Sequence, residues 1–130
     1  MSILLADDHP GFPGLVEDLL KPTFEVVGIV FDGESLVQAS SRLKPDIILT
    51  DISMPILSGF EAVDRLRKWG STAKVIFLTV HADPDFVRAA LSTGALGYVV
   101  KPRVATDLLA AIKEVLEGRV FISPYLLSRN

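Results

Sequence analysis

Residues 46 to 67, DIILTDISMPILSGFEAVDRLR, decide the fold of this chain. The stretch opens with a short apolar run, which is typical of a parallel strand covered on both faces. A carboxylate, Asp51, follows the run at once, and Gly59 then ends a loop. Beyond that glycine, apolar residues recur every three positions and so share one face of a helix: Phe60, Val63 and Leu66. The stretch therefore predicts a strand, a loop and a helix, with an acid where the strand ends.

The same strand-and-helix unit recurs along the chain. Short apolar runs predict strands at 2–6, 24–30, 46–50, 74–80 and 96–100. An amphipathic stripe follows each run, and the one at 105–117 is the clearest. Glycines follow three of the predicted helices, at Gly70, Gly94 and Gly118. Alternating strands and helices indicate a three-layer α/β/α domain, with a five-stranded parallel sheet and helices on both faces.

Composition limits the classes of protein to consider. A chain of 130 residues and 14.1 kDa has the size of one ordinary domain. No uncharged apolar run approaches the roughly 20 residues of a membrane span, so we expect no membrane partner. The absence of cysteine and of a secretory signal favours a cytoplasmic location. A net charge of −3 provides no general attraction to nucleic acid.

Polar side chains follow four of the predicted strands, where ligands gather in open α/β sheets. Asp7 and Asp8 end the first strand, Asp51 the third and Thr79 the fourth, and Lys101 comes directly after the fifth. Each residue alone has an ordinary explanation as a turn, a cap or surface charge. Their joint position at one edge of the sheet predicts a site.

The chemistry of these groups indicates phosphoryl transfer. Crowded carboxylates repel one another, and a hard divalent cation with oxygen ligands relieves that repulsion. Mg²⁺ suits a site of two or three acids, and a carboxylate, a metal, a lysine and a hydroxyl together describe a phosphoryl-transfer centre. In this interpretation Asp51 is the nucleophile and forms an aspartyl phosphate, Lys101 neutralises charge on the transferred group, and Thr79 donates a hydrogen bond to it.

Five motifs carry a resemblance to a known family: DDHP at 7–10, DISMP at 51–55, LTVH at 78–81, GALGY at 94–98 and GRVFISP at 118–124. Together they resemble the receiver domain of two-component response regulators, in its LuxR-type (NarL/FixJ-like) subclass. The similarity spans essentially the whole chain. It implies a flavodoxin-like strand order of 2-1-3-4-5 and a receiver domain over residues 1–122. Residues 123–130 would be a tail, or the start of a linker to an effector domain outside this chain.

The resemblance also implies roles for individual residues. Asp8 and Asp51 would bind Mg²⁺ directly, Asp7 through water, and Ser53 through its backbone carbonyl. Tyr98 matches the aromatic switch of the family, whose ring moves inward when Thr79 turns toward the phosphoryl group.

The remaining positions near the site are weighed separately. His81 and Pro102 would border the site, and the peptide before Pro102 is expected to be cis. Because Mg²⁺ prefers oxygen, we expect His9 at the entry of the first helix or on the surface.

These residues predict a switch that a sensor histidine kinase phosphorylates on Asp51, with only self-phosphorylation and self-dephosphorylation as activity. A homodimer is possible, and DNA would be reached only through an effector domain, giving control of transcription. Two alternatives stay open: a Mg²⁺-dependent phosphatase or phosphotransferase with an aspartyl nucleophile, and a stand-alone receiver that acts as a protein-interaction module. Against the first, Ser53 stands where that enzyme type usually has a second acid.

Overall fold

A computed structural model describes residues 1–124 of the chain. Six strands and five helices alternate in it, and a 3₁₀ turn at Lys101–Arg103 precedes the last helix. The elements are β1 (Ser2–Ala6), α1 (Phe12–Leu20), β2 (Glu25–Val30), α2 (Gly33–Leu43), β3 (Ile47–Thr50), α3 (Gly59–Lys68), β4 (Lys74–Thr79), α4 (Pro84–Ser92), β5 (Gly97–Val100), α5 (Val104–Leu116) and β6 (Phe121–Ile122). The five predicted strands are confirmed to within one residue at each end.

All neighbouring strands are parallel, and the sheet order is β2-β1-β3-β4-β5-β6. The predicted order 2-1-3-4-5 is confirmed for the first five strands, and a short sixth strand extends the predicted five-stranded sheet beyond β5. The sixth strand forms because β5 would otherwise expose unpaired backbone groups at the sheet edge. Phe121 and Ile122 pair with Gly97 and Tyr98 and cover that edge.

Helices cover both faces of the sheet, which confirms the three-layer architecture. Successive side chains of a strand point to opposite faces, so each strand contributes to two cores. Ile3 and Leu5 of β1 pack with α1 and α5, whereas Leu4 and Ala6 pack on the side of α2, α3 and α4. The buried strands β1, β3 and β4 are central, as their continuous apolar runs predict.

The three glycines that the sequence places after helices lie at helix ends in the structure. Gly70, Gly94 and Gly118 adopt φ values of 87°, 90° and 79°, the left-handed conformation that ends a helix after its last turn. Ser58 begins α3 with a capping box, because its hydroxyl accepts from the Glu61 N–H and the Glu61 carboxylate accepts from the Ser58 N–H. That box sets the direction in which the chain leaves the loop after Asp51.

One expectation about the C-terminal part is corrected by the structure. No peptide among residues 1–124 is cis, so the prediction of a cis peptide before Pro102 is wrong. The trans form is the ordinary preference of such bonds, and Pro102 lies here inside the 3₁₀ turn that leads into α5. Ser123 is buried and donates to the Asp107 carboxylate, while residues 125–130 of the predicted tail lie outside the described part of the chain.

No described helix combines the length and the apolar character that crossing a membrane requires.

Candidate functional site

Four central strands carry the candidate site residues to the carboxyl edge of the sheet. Asp7 follows β1 and Asp51 follows β3, and the Asp51 N–H donates a 2.9 Å hydrogen bond to the Ala6 carbonyl. This ladder hydrogen bond places the two acids side by side. Both side chains are almost fully buried, with 1 % of Asp7 and 2 % of Asp51 exposed. Buried carboxylates need a nearby positive charge.

Lys101 supplies that charge. Its Nζ lies 2.7 Å from Asp7 Oδ2 and 2.9 Å from Asp51 Oδ2, and its side chain is only 8 % exposed. His9 Nδ1 lies 2.8 Å from the same ammonium, and the ring of Phe12 lies 4.4 Å away from it. Two carboxylate oxygens and one imidazole nitrogen therefore lie around one ammonium group.

The loop after β3 holds the Asp51 carboxylate in place. The Ile52 N–H donates a 2.6 Å hydrogen bond to Asp51 Oδ1, so the other oxygen, Oδ2, is the one that faces Lys101. Gly59 closes the loop, because its N–H donates a 2.7 Å hydrogen bond to the Ile52 carbonyl. A Cβ at position 59 would lie 2.0 Å from the Asp51 carbonyl oxygen, so this close approach requires glycine.

The acidic groups have the composition and spacing of a divalent-metal site. One ligand atom from each of Asp7, Asp8, His9 and Asp51 lies within 4.8 Å of the others. Asp7 Oδ2 is buried and, within residues 1–124, has no hydrogen-bond partner of suitable geometry, although Lys101 Nζ is near. This oxygen already faces a cation, the Lys101 ammonium 2.7 Å away, so it is placed where positive charge is favourable. The residues therefore fit Mg²⁺, which prefers oxygen ligands.

Thr79 and Tyr98 are connected through one loop residue, His81. The His81 N–H donates to the Thr79 hydroxyl at 3.1 Å, and the Tyr98 hydroxyl donates to the His81 carbonyl at 2.7 Å. The Tyr98 ring is fully buried and so points inward. Burial raises the pKa of the Tyr98 phenol, and the negative charges of Asp51 and Asp83 raise it further.

The side chain of His81 connects the loop after β3 to α4. Its Nε2 lies 3.0 Å from the Ser53 hydroxyl, and its ring stacks on Phe86 with 4.2 Å between ring centres. His81 therefore lies beside the loop that follows β3. Pro102 follows Lys101 in the 3₁₀ turn and also lies beside the site.

The structure brings together most of the residues that the sequence singles out. Asp7, Asp51 and Lys101 are in direct contact, and Asp8 lies beside them with its side chain 35 % exposed. Thr79 is buried at the end of β4, but no described hydrogen bond joins it to Asp51. These contacts establish proximity, whereas the roles of the residues stay predictions.

His9 and Phe12 are site residues that sequence reasoning missed. His9 lies in the turn before α1 with a half-exposed ring, as the sequence predicts, but its Nδ1 also contacts Lys101 and lies 3.1 Å from Asp51 Oδ2. Its position directly after two acids was an available signal. Phe12 offered none, because an aromatic residue at the start of a helix is ordinary.

Comparisons with known proteins agree with this fold. Residues 3–113 match the response regulator receiver domain family. The transcriptional regulatory protein DegU of Brevibacillus brevis is 39% identical over 126 residues, covering 95% of this chain and 53% of DegU. The nitrate/nitrite response regulator NarL of Escherichia coli K12 is 35% identical over 127 residues, covering 96% of this chain and 59% of NarL.

Solved structures give the same result. A LuxR-family two-component response regulator from Aurantimonas sp. SI85-9A1 superimposes with a TM-score of 0.92 at 30% identity, covering 98% of this chain and 92% of that one. The isolated receiver domain of RcsB from Salmonella enterica serovar Typhimurium, determined with the phosphomimetic BeF3⁻, has a TM-score of 0.88 at 28% identity, covering 99% of this chain and 96% of that one.

The chain belongs to the response regulator receiver domain family, and its relatives include LuxR-family regulators. It spans between half and two thirds of the length of DegU and NarL.

Proposed function

We propose that this chain is the phospho-accepting switch of a two-component system, with Asp51 as the phosphoacceptor. The observation that carries the proposal is the position of Lys101 Nζ, 2.7 Å from Asp7 Oδ2 and 2.9 Å from Asp51 Oδ2. A buried ammonium between two buried carboxylates offsets their repulsion, and it provides a positive charge where a phosphoryl group would arrive.

The proposed reaction is a transfer from a phosphohistidine of a sensor kinase. An Asp51 carboxylate oxygen attacks phosphorus and forms an O–P bond, and the P–N bond breaks. The departing imidazole keeps the electron pair of that bond and takes up a proton. Lys101 balances the charge on the arriving group, while the Ile52 N–H holds the other Asp51 oxygen at 2.6 Å.

The proposed cofactor is Mg²⁺, and the residues that would hold it are Asp8 and Asp51 directly, Asp7 through water and the Ser53 carbonyl. When bound, the ion supplies positive charge that offsets the charge of the phosphoryl oxygens. The cluster of Asp7, Asp8 and Asp51 oxygen atoms supports this assignment.

The proposed switch uses Thr79 and Tyr98. A phosphoryl group on Asp51 gives the Thr79 O–H a new hydrogen-bond acceptor, and the hydroxyl, which now accepts from the His81 N–H, turns toward that group. Because the Tyr98 hydroxyl donates to the carbonyl of the same residue, the loop between β4 and α4 changes its conformation.

The face formed by α4, β5 and α5 is the proposed output surface, with homodimerisation as one possible result. His81 and Ser53 are proposed to influence the lifetime of the aspartyl phosphate.

The remaining parts of the proposal concern the whole protein. We infer a receiver unit over residues 1–122, a cytoplasmic location, a sensor histidine kinase as the phosphate donor, and transcriptional control through a DNA-binding effector outside this chain. LuxR-family relatives longer than this chain support the last point. The domain would act as a switch with only self-phosphorylation and self-dephosphorylation, and not as a metabolic enzyme.

Acetyl phosphate with Mg²⁺ tests the proposal directly. Intact-mass analysis should show one added phosphoryl group on the wild-type chain and none on Asp51→Asn. Asp64→Asn changes an exposed acid on α3 and is the matched control, which should be phosphorylated like the wild type. Phosphate on Asp51→Asn, or steady turnover of p-nitrophenyl phosphate by the wild type, would contradict the proposal and favour a phosphatase.

A further inference from the structure

The short turn that carries Lys101 to the site is held at both of its ends by side chains. Val100, the last residue of β5, precedes the turn, and its N–H donates a 3.1 Å hydrogen bond to the Ser123 hydroxyl. Arg103 ends the turn, and its Nε and Nη2 donate to the two carboxylate oxygens of Asp107 at 2.8 Å and 3.1 Å. Because the backbone hydrogen bonds of a 3₁₀ turn have poor geometry, these contacts help to fix its direction.

One further hydrogen bond connects the two ends of the turn. The Ser123 hydroxyl, which accepts from β5, donates to Asp107 Oδ2 at 2.9 Å. Arg103 Nε donates to that same oxygen. A continuous chain of hydrogen bonds therefore runs around the turn and forms a clamp of four residues: Val100, Ser123, Asp107 and Arg103. Lys101 lies within the span that this clamp closes.

The two central members of the clamp are buried. Ser123 is fully buried, and only 3 % of Asp107 is exposed. Both carboxylate oxygens of Asp107 accept hydrogen bonds, and the Ser123 hydroxyl both donates and accepts. A buried polar group costs free energy when it loses its partner, so removing either residue disturbs the whole clamp.

Ser123 belongs to the segment that follows α5, residues 119–124, which pairs with β5 as β6. The Ser123 N–H donates a 2.9 Å hydrogen bond to the Tyr98 carbonyl, and its hydroxyl accepts from Val100 two residues further along β5. The hydroxyl therefore bonds the residue directly before Lys101. Displacement of this segment would remove the hydroxyl from the clamp and release one end of the turn.

We propose that Ser123 and Asp107 are positioning residues for Lys101 and couple the segment after α5 to the phosphoacceptor. This inference rests on the proposed function and concerns the regulation of the same site. The ammonium of Lys101 lies 2.9 Å from Asp51 Oδ2, while the clamp holds the backbone at the other end of that side chain. When the clamp is broken, the ammonium loses its fixed position beside Asp51, and phosphoryl transfer to that carboxylate becomes slower.

The coupling acts in both directions. A clamp that favours the position of Lys101 beside Asp51 is itself stabilised by a group that Lys101 binds there, because the coupling free energy between two sites is reciprocal. A phosphoryl group on Asp51 is such a group. Residues 119–124 are consequently expected to be held more tightly in the phosphorylated chain than in the unmodified one.

The kinetics of labelling by acetyl phosphate test this coupling in the full chain. Ser123→Ala removes the hydroxyl and should lower the rate constant for phosphorylation of Asp51 by about threefold or more. Asp107→Ala and the double variant should show a similar reduction, because the two residues act as one unit and their effects do not add. Val115→Ala is the matched control: it removes buried methyl groups from α5 outside the clamp, so stability falls while the labelling rate stays that of the wild type.

The ¹⁵Nζ resonance of Lys101 reports the position of the ammonium without any phosphorylation. Ser123→Ala should shift or broaden this resonance, because the ammonium is no longer held beside the two carboxylates. Val115→Ala should leave it in place. A loss of stability alone would not separate the two variants in this way.

Hydrogen exchange of the wild type needs no variant. Exchange of the backbone amides at 119–124 should slow when beryllofluoride and Mg²⁺ are added. Unchanged exchange there, a wild-type labelling rate in Ser123→Ala, or an unmoved Lys101 resonance in that variant would overturn the inference. Labelling that Asp51→Asn abolishes would still support the proposed function in that case, whereas a wild type that takes up no phosphoryl group would contradict the proposed function itself.

Discussion

The hydroxyl of Tyr98 donates a 2.7 Å hydrogen bond to the backbone carbonyl of His81, on the loop between β4 and α4. The N–H of that same residue donates to the Thr79 hydroxyl at 3.1 Å. One peptide segment therefore connects the hydroxyl proposed to detect the phosphoryl group with the ring proposed to report it. Movement at either end changes the geometry at the other, because both bonds are made by one residue.

Replacing Tyr98 by Phe is expected to loosen this loop. The ring keeps its packing, and the hydrogen bond to the His81 carbonyl is lost, so the free energy of unfolding falls by about 1 kcal/mol. Urea denaturation measures the loss, and the amide resonances of His81 and Ala82 report the loop. Unchanged stability together with unmoved loop amides would show that the hydrogen bond contributes nothing.

The raised pKa of Tyr98 predicts a loss of stability at alkaline pH. Burial keeps the folded-state phenol neutral, whereas the unfolded phenol ionises near its ordinary pKa of about 10. The stabilising contribution is therefore complete below pH ~10 and is lost as pH rises toward the folded-state pKa. The stability advantage of the wild type over Tyr98→Phe should shrink between about pH 9.5 and pH 11 in urea titrations. An advantage that stays constant across this range would contradict the pKa assignment.

Removing the ammonium of Lys101 should destabilise the chain and increase its dependence on Mg²⁺. In Lys101→Met the carboxylates of Asp7 and Asp51 stay buried without a counter-charge, a loss of roughly 3 kcal/mol or more. Mg²⁺ can replace that charge, so the ion should raise the melting temperature of Lys101→Met more than that of the wild type. Lys68→Met alters an exposed lysine on α3 and serves as the control. Equal Mg²⁺ effects on all three proteins would argue against a shared cation position.

Gly59 should not tolerate even one added methyl group. A Cβ at this position would lie 2.0 Å from the carbonyl oxygen of Asp51, and backbone at that distance has to move. Gly59→Ala is expected to cost about 1–3 kcal/mol of stability and to reduce phosphorylation of Asp51, because the loop that holds its carboxylate is displaced. Denaturation and acetyl phosphate labelling measure the two effects.

Gly14 provides the matched control. A Cβ there meets no atom within 4 Å, and the residue lies inside α1, where alanine is the better helix former. Gly14→Ala should therefore raise stability by about 0.5–1 kcal/mol and leave labelling unchanged. Similar losses in both variants would mean that the close approach at Gly59 is not the cause.

Local patterns predicted most of the fold. Apolar runs located β1 to β5, helical stripes located the helices, and glycines marked three helix ends, because each of these signals depends on residues that are near in the chain. The helical stripes predicted less well which residues at the edge of a helix face are buried. Leu15 and Leu109 fit them but are 47% and 48% exposed, since the width of a buried helix face depends on what packs against it.

The position of the candidate site could also be predicted from the sequence. Asp7, Asp51 and Lys101 meet because parallel strands deliver their carboxyl ends to one edge, and that rule needs only the strand order. The contact between His9 and Lys101 could not be derived in this way. It depends on the path of a turn whose direction the Asp7 side chain sets by accepting from the His9 N–H.

By itself the sequence determined a parallel α/β sheet, the ends of its helices and an acidic edge beside a lysine, because periodicity and strand ends are local properties. Only the tertiary structure decided that β6 pairs with β5, that the peptide before Pro102 is trans and that the Tyr98 ring is turned inward. It also decided that His9 joins the carboxylates. The strand pairing, the Tyr98 position and the contact of His9 with Asp51 and Lys101 depend on atoms that are distant in the chain, and on which unpaired donor or buried charge lies within reach after packing.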